Sequence, residues 1–332
     1  MSPYFAASPD ALVDDALAGF ALAHADLVRL VPDPGYVTAV APAPTRVVGL
    51  VSGGGSGHEP LHAGFVGAGL LDAACPGRVF ASPHNRQVYA ASKAVAGPGG
   101  VLHVVKNYTG DKINFAIAAE RLQHDGIRCA RVLVDDDVAT DSADIAVGRR
   151  GTGATAVLEK LLGAAADTGA DLDALVALGE RVVAGSRSIA VASAAHTSPA
   201  TGAPAFDLPA GEVEYGVGIH GERSGRTRPL GEVADLVRDM TGELLGSLGL
   251  APGERVIALV NGLGRTTPME LYGIHRHFAA ALADRGVVLE RVLVGSVVTA
   301  LDMRGFSLSA TRTDDGLTAL WDAPATAPAW KA

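Results

Sequence analysis

Four side chains in this 332-residue chain combine a reactive type with a setting that could use it: His58, Lys106, Asp111 and His220. His58 closes Gly53-Gly-Gly-Ser-Gly-His58, a glycine run behind the apolar stretch 47–51. A buried strand that breaks into glycines aims several backbone N–H groups at one spot, which suits a phosphate or a polyhydroxylated ligand. Gly55, Ser56 and Gly57 would supply such contacts, and His58 adds a group able to take or share a proton. Lys106 ends the apolar run 101–105; a lysine there is rarely buried unless paired, and Asp111 is its natural partner. Asp111 follows Thr109-Gly110 at a helix start, where an N-cap is the plainer reading. The chemical reading is a general base that steers the proton of an attacking hydroxyl. His220 sits in Gly218-Ile-His-Gly221, where small neighbours allow close approach. A neutral imidazole nitrogen is a nucleophile toward a carbonyl carbon, although without its surrounding motif a hydrogen-bonding role in a strand-end turn would be favoured.

Three familiar motifs fail on inspection. A P-loop ends in Gly-Lys-Ser/Thr, and none of the lysines (93, 106, 112, 160, 331) follows a glycine. A nucleophile elbow needs Gly-x-Ser-x-Gly, and His58 stands where the second glycine would be. His58-Glu-Pro-Leu-His62 matches His-Glu-x-x-His, but zinc proteases carry it within a helix. Here it crosses a loop-to-helix junction with Pro60 in the middle, so no metal site is expected. Nor is there a protein-kinase catalytic loop or a second acid cluster to join Asp135-Asp-Asp137 around two Mg²⁺ ions.

Elements must hold these groups. Ser8-Pro9-Asp10 reads as a helix start, with the helix running to about His24. Strands are expected at 47–51, 78–81, 101–105 and 127–134, and helices at 61–74, 86–96, 112–124, 154–168 and 172–184. Such alternation predicts a parallel α/β sheet, whose ligands gather beyond the carboxyl ends of the strands. The loops 53–58, 82–85 and 106–111 all fall there, which adds Ser82 to the binding set. A second rhythm follows: strands at 188–193 and 212–218, a helix at 231–246, a strand at 256–260, a helix at 268–285, and strands at 288–294, 306–310 and 317–321. The expectation is two α/β domains, 1–185 and 186–332, the first with a mainly parallel sheet and the ligand crevice near the domain interface.

A net charge of −9 argues against nucleic acid or an anionic membrane as partner. Two cysteines are too few for a disulfide framework. No signal-peptide pattern or membrane-length apolar run is present, and a cytosolic protein is expected.

Taken in order, Gly53-Gly-Gly-Ser-Gly-His-Glu-Pro60, Ala74-Cys-Pro-Gly77, Lys106-Asn-Tyr-Thr-Gly-Asp111, Asp135-Asp-Asp-Val138, Gly148-Arg-Arg-Gly151, Gly216-Val-Gly-Ile-His-Gly-Glu222 and Trp321-Asp-Ala-Pro324 resemble the K subunit of dihydroxyacetone kinases. The resemblance implies that His220 adds to the ketone of dihydroxyacetone and holds it as a hemiaminal, which glycerol cannot form. It also implies that Lys106 holds substrate oxygens. No cofactor is expected in this chain: a separate L-type subunit would carry the Mg-nucleotide, with a phosphotransferase-system carrier protein as another source of phosphate and a second copy of the chain as a further partner. With Ala332 as the last residue, no L domain is expected to be fused. Where the family commonly continues Thr-Pro-Asp, this chain has His84-Asn85-Arg86, which brings in erythrulose as a competing substrate. A ketose-sensing paralogue acting as a transcriptional co-regulator is the non-enzymatic alternative. Arg149-Arg150 reads as a solvated helix start, and His62, His84 and His103 are left out of the site.

Overall fold

A computed structural model describes residues 4–8, 11–141 and 148–331. In chain order the elements are α1 (Ala11–Ala23), β1 (Val28–Val31), β2 (Tyr36–Ala39), β3 (Val48–Ser56), β4 (Ala73–Val79), α2 (Asn85–Val95), β5 (Gly100–Lys106), α3 (Thr109–His124), β6 (Cys129–Val134), α4 (Ala154–Asp167) and α5 (Leu172–Ala184). There follow β7 (Ser186–Ala194), β8 (Glu212–Tyr215), β9 (Arg226–Pro229), α6 (Val233–Leu248), β10 (Arg255–Gly262), α7 (Pro268–Asp284), β11 (Val288–Gly295), β12 (Arg304–Thr313), α8 (Asp315–Asp322), β13 (Thr326–Ala327) and β14 (Trp330–Lys331). Pro9 and Asp10 of the expected helix start lie outside the described residues; Ser8 Oγ accepts the Ala11 N–H at 3.1 Å.

The chain divides into two units, and not at a single cut near 185. One comprises Met1–Val134, Thr155–Arg181 and Ala319–Ala332; the other comprises Asp135–Ala154 and Val182–Thr318. In the first, the strand order is β1-β2-β4-β3-β5-β6. β3 runs parallel to β4 and β5, and β5 parallel to β6, while β1 and β2 form an antiparallel edge. β3 and β5 are buried at every residue, as central strands covered on both faces must be. Val51, Val88, Ala91, Val101, Val105, Phe115 and Ala118 join β3, β5, α2 and α3 in one apolar core. His103 lies inside it, 2.9 Å from Ser92 Oγ and edge-on to Phe115.

The second unit has strand order β11-β10-β12-β7-β8-β9, in which β10–β11 is parallel and the other pairs are antiparallel. Val256, Val260, Leu308, Leu244 and Phe278 form its core with α6 and α7. α7 opens on a reciprocal cap between Thr267 and Glu270 with Pro268 in the first turn.

Two expected elements differ. Residues 61–74 are not a helix: after a short 3₁₀ turn at Ala63–Phe65 the chain is irregular until β4. Gly64, Gly67 and Gly69 depress helix propensity, and a side chain at Gly67 would stand 2.1 Å from Thr326 O. Residues 317–321 form part of α8, whose start is bonded by the Asp314 carboxylate accepting the Leu317 N–H at 2.9 Å.

Candidate functional site

In the first unit the site grows from the carboxyl ends of β3, β4 and β5. Gly55 lies so close to the Phe80–Ala81 backbone that a Cβ would meet it at 2.7 Å, and Ser56 Oγ donates to Gly77 O at 2.7 Å. Gly57 turns with φ +103°, a conformation that suits glycine, and its N–H donates to the Glu59 carboxylate at 3.0 and 2.9 Å. His58 is fully buried and stacks on Phe80, ring centres 5.1 Å apart. A Cβ on Gly110 would stand 2.6 Å from Ser82 Oγ, so Ser82 borders the first turn of α3.

Lys106 is the centre of this arrangement. It is 1% exposed, and its Nζ lies 2.7 Å from His62 Nε2, 3.3 Å from Gly53 O and 3.9 Å from Asp111 Oδ2. A Cβ on Gly54 would come within 2.2 Å of Nζ, so the glycine loop closes directly onto the ammonium group. Burial lowers the lysine's pKa, while the charges of Asp111 and Glu159 pull it back up. Asp111 is buried in the first turn of α3, but Tyr108 occupies the cap position and no side chain caps the helix. Asp111 is therefore not an N-cap, and the plainer reading of that carboxylate falls away.

The first unit thus brings together Gly55, Ser56, Gly57, His58, Ser82, Lys106 and Asp111. It also adds His62 and Glu159. His62 Nδ1 is 2.5 Å from Glu159 Oε1 and 2.9 Å from Ser52 Oγ, all three residues being buried. The His-Glu-x-x-His pattern does not act as a unit, because His58, Glu59 and His62 point to different partners. Among the described residues no three His, Cys, Asp or Glu side chains are grouped to hold a metal ion. His84 caps α2, its Nδ1 accepting the Arg86 N–H at 3.1 Å, and the Asn85 N–H donates to Asn114 Oδ1 at 3.0 Å.

His220 belongs to the second unit, in the loop after β8. Glu222 folds back on it: Oε1 lies 2.9 Å from His220 Nδ1, and Oε2 accepts the His220 N–H at 2.9 Å. Burial would raise the Glu222 carboxyl, but the hydrogen bond and charge of His220, with the charge of Arg150, hold it at about 2. In the neutral ring, Nδ1–H donated to this carboxylate would place the lone pair on Nε2. Arg150 is 9% exposed, pairs with Asp137 and donates to Gly216 O at 2.8 Å. It is not a solvated helix start but a brace for the His220 loop. Asp136 accepts the N–H groups of Thr152 and Ala154 at 2.7 and 2.9 Å, so this member of the acid triplet starts α4. Glu222 and Arg150 were legible only as motif members; neither type nor spacing marked them as partners of His220.

The Dak1 domain model matches residues 18–329. The dihydroxyacetone-binding subunit DhaK of the PEP-dependent dihydroxyacetone kinase of Escherichia coli strain K12 is 42% identical, over 96% of each chain. The L-erythrulose 1-kinase of Mycolicibacterium smegmatis is 37% identical over 99% of this chain, which spans 58% of that protein. Among solved structures, the dihydroxyacetone kinase operon co-activator Dha-DhaQ superposes with a TM-score of 0.91 at 29% identity, covering 96% of this chain and 98% of that one. The dihydroxyacetone kinase of C. freundii gives 0.90 at 32% identity, covering all of this chain and 60% of that one.

Proposed function

The chain belongs to the Dak1 domain family, and on that premise we propose that it is the ketose-binding subunit of a dihydroxyacetone kinase, a phosphotransferase acting on an alcohol group. The observation that carries this reading is the buried Lys106–Asp111 pair beneath the glycine loop. Burying two charges costs several kcal/mol per ion before their attraction is counted, and the pair caps no helix, so it suits a polar substrate.

In the proposed mechanism His220 Nε2 attacks the ketone carbon. The N–C bond forms as the carbonyl π pair moves to oxygen, and the Glu222 carboxylate beside Nδ1 offsets the charge that develops on the ring. Lys106 holds a substrate oxygen, and His58 with Gly55, Ser56, Gly57 and Ser82 completes the contacts. Asp111 receives the proton of the hydroxyl that attacks phosphorus. Positioning the transferred group is most of what phosphoryl transfer requires, and this chain has no triphosphate motif. The Mg-nucleotide is therefore assigned to a separate L-type subunit in the cytosol, resupplied by ATP or by a phosphocarrier protein.

The test mixes the pure chain with dihydroxyacetone and Mg-ATP, alone and with an L-type subunit, with and without a phosphocarrier protein. The chain alone should show no turnover above background, and the subunit should restore it. Robust ATP-dependent activity from the isolated chain would overturn the split-kinase reading. The erythrulose kinase among the relatives favours running the same assay with erythrulose. Turnover of that ketose alone would move the substrate assignment by one carbon. A sensor related to the co-activator fold would be silent with both, and the presence together of His58, Lys106, Asp111 and His220 speaks for the catalyst.

A further inference from the structure

The buried polar line behind Lys106 is not explained by ketose chemistry as set out above. An ammonium group has three donors and no acceptor, so His62 Nε2, 2.7 Å from Nζ, must offer a lone pair. A neutral imidazole with an unprotonated Nε2 carries its proton on Nδ1, and that nitrogen faces Glu159 Oε1 at 2.5 Å. Ser52 Oγ donates to Val104 O at 2.9 Å, so toward His62 it too can only accept. Each of these contacts specifies the same tautomer. Glu159 is fully buried in α4, and its Oε2 has no hydrogen-bond partner among the described residues. A carboxyl with one oxygen unpartnered is costly to bury unless it has a task.

We propose that His62 and Glu159 are positioning residues that keep the Lys106 ammonium aimed and charged at the site. This rests on the kinase reading above. Of the three Nζ contacts the loosest is that to Asp111, at 3.9 Å. A substrate oxygen can enter there while His62 and Gly53 O hold the other two N–H groups. The titratable groups around Lys106 are Asp111 from α3, Glu159 from α4, and His62 and His58 from the segment after β3. Burial pushes the Glu159 carboxyl up to about 8. Its negative charge therefore appears on the alkaline side, where a buried lysine would otherwise give up its proton.

Glu159→Gln keeps the shape and an acceptor for Nδ1–H but never gains the charge. In the reconstituted kinase, the alkaline limb of the kcat/KM profile should move down by ~1 pH unit, with the acid limb in place. Glu159→Asp should bring the limb part of the way back. Equal loss at every pH, or an unmoved alkaline limb, overturns the proposal. Should Glu159→Gln not fold, ¹⁵N-histidine NMR of the wild-type chain decides: His62 must show Nδ1–H with bare Nε2, and an Nε2–H tautomer overturns it. The spectrum needs no turnover, so a chain silent with every ketose would sink the kinase reading and leave this result standing.

Discussion

Two histidines that look alike in the sequence are prepared for different work by a neighbouring carboxylate. Glu222 engages the Nδ1 of His220, whereas Glu159 takes the Nδ1 of His62 and the Nε2 of His62 faces Lys106. The roles separate experimentally. Asp111→Asn should leave the His220 adduct intact, seen as an added ketose mass by native mass spectrometry, while turnover falls by ~10²–10⁴, the range for a lost general base. His220→Ala should abolish the adduct and erode discrimination against glycerol; equal binding losses in both variants would refute the division. Gly54→Ala tests the closure of the loop onto Lys106. The added methyl would lie 2.2 Å from Nζ, so the ammonium must shift, and a displaced positioning group can cost ~10²-fold. A variant with unchanged kcat and KM would mean that the ammonium's place does not matter.

At the scale of elements, β5 carries both a core histidine and the site lysine. His103 is buried against Ser92, and burial holds its pKa at about 3, well below the usual 6.5. Because the folded state depresses this group, its contribution to stability is whole above pH 6.5 and is lost as pH falls toward 3. The loss amounts to about 1.4 kcal/mol per pH unit within that window. The gap in unfolding free energy between wild type and His103→Gln should therefore narrow as pH is lowered from 6.5 to 3.5. A constant gap would show that His103 is protonated without cost. The strands that position the site were legible because 47–51 and 101–105 are mostly apolar runs, interrupted in β5 by His103, that lead into polar loops. The β1–β2 hairpin was missed because Asp33-Pro34-Gly35 reads as an end to structure when it is the turn between two short strands. The false helix at 61–74 came from apolar spacing that burial of nearly the whole segment produces without any helix. Glu159 stood in view as a charge inside Ala154-Thr-Ala-Val-Leu-Glu-Lys-Leu-Leu, but only the fold reveals that it points at His62.

For the whole molecule, the sequence suggested one cut and the chain has several crossings. Residues 135–154 go to the second unit and Ala319–Ala332 to the first. The late segment is packed in closely: the Thr326 N–H donates to Ala68 O at 2.9 Å, and the Ala329 N–H to Gly64 O at 2.9 Å. Lys160 Nζ donates to Leu320 O at 2.7 Å, and Trp330 lies edge-on to Phe65 and Trp321. A fragment of residues 1–185 should therefore lack a cooperative unfolding transition and bind a hydrophobic dye. Adding 319–332 through a flexible linker, with 135–154 removed, should restore the cooperative transition and abolish the dye binding, and a cooperative transition in the simple fragment would contradict this. On the ribosome, where the chain emerges in order and domains usually fold as they appear, the same feature reverses the ordinary schedule. The unit begun first is sealed last, so a nascent chain that has not yet released Trp330 carries an unfinished glycine-loop unit.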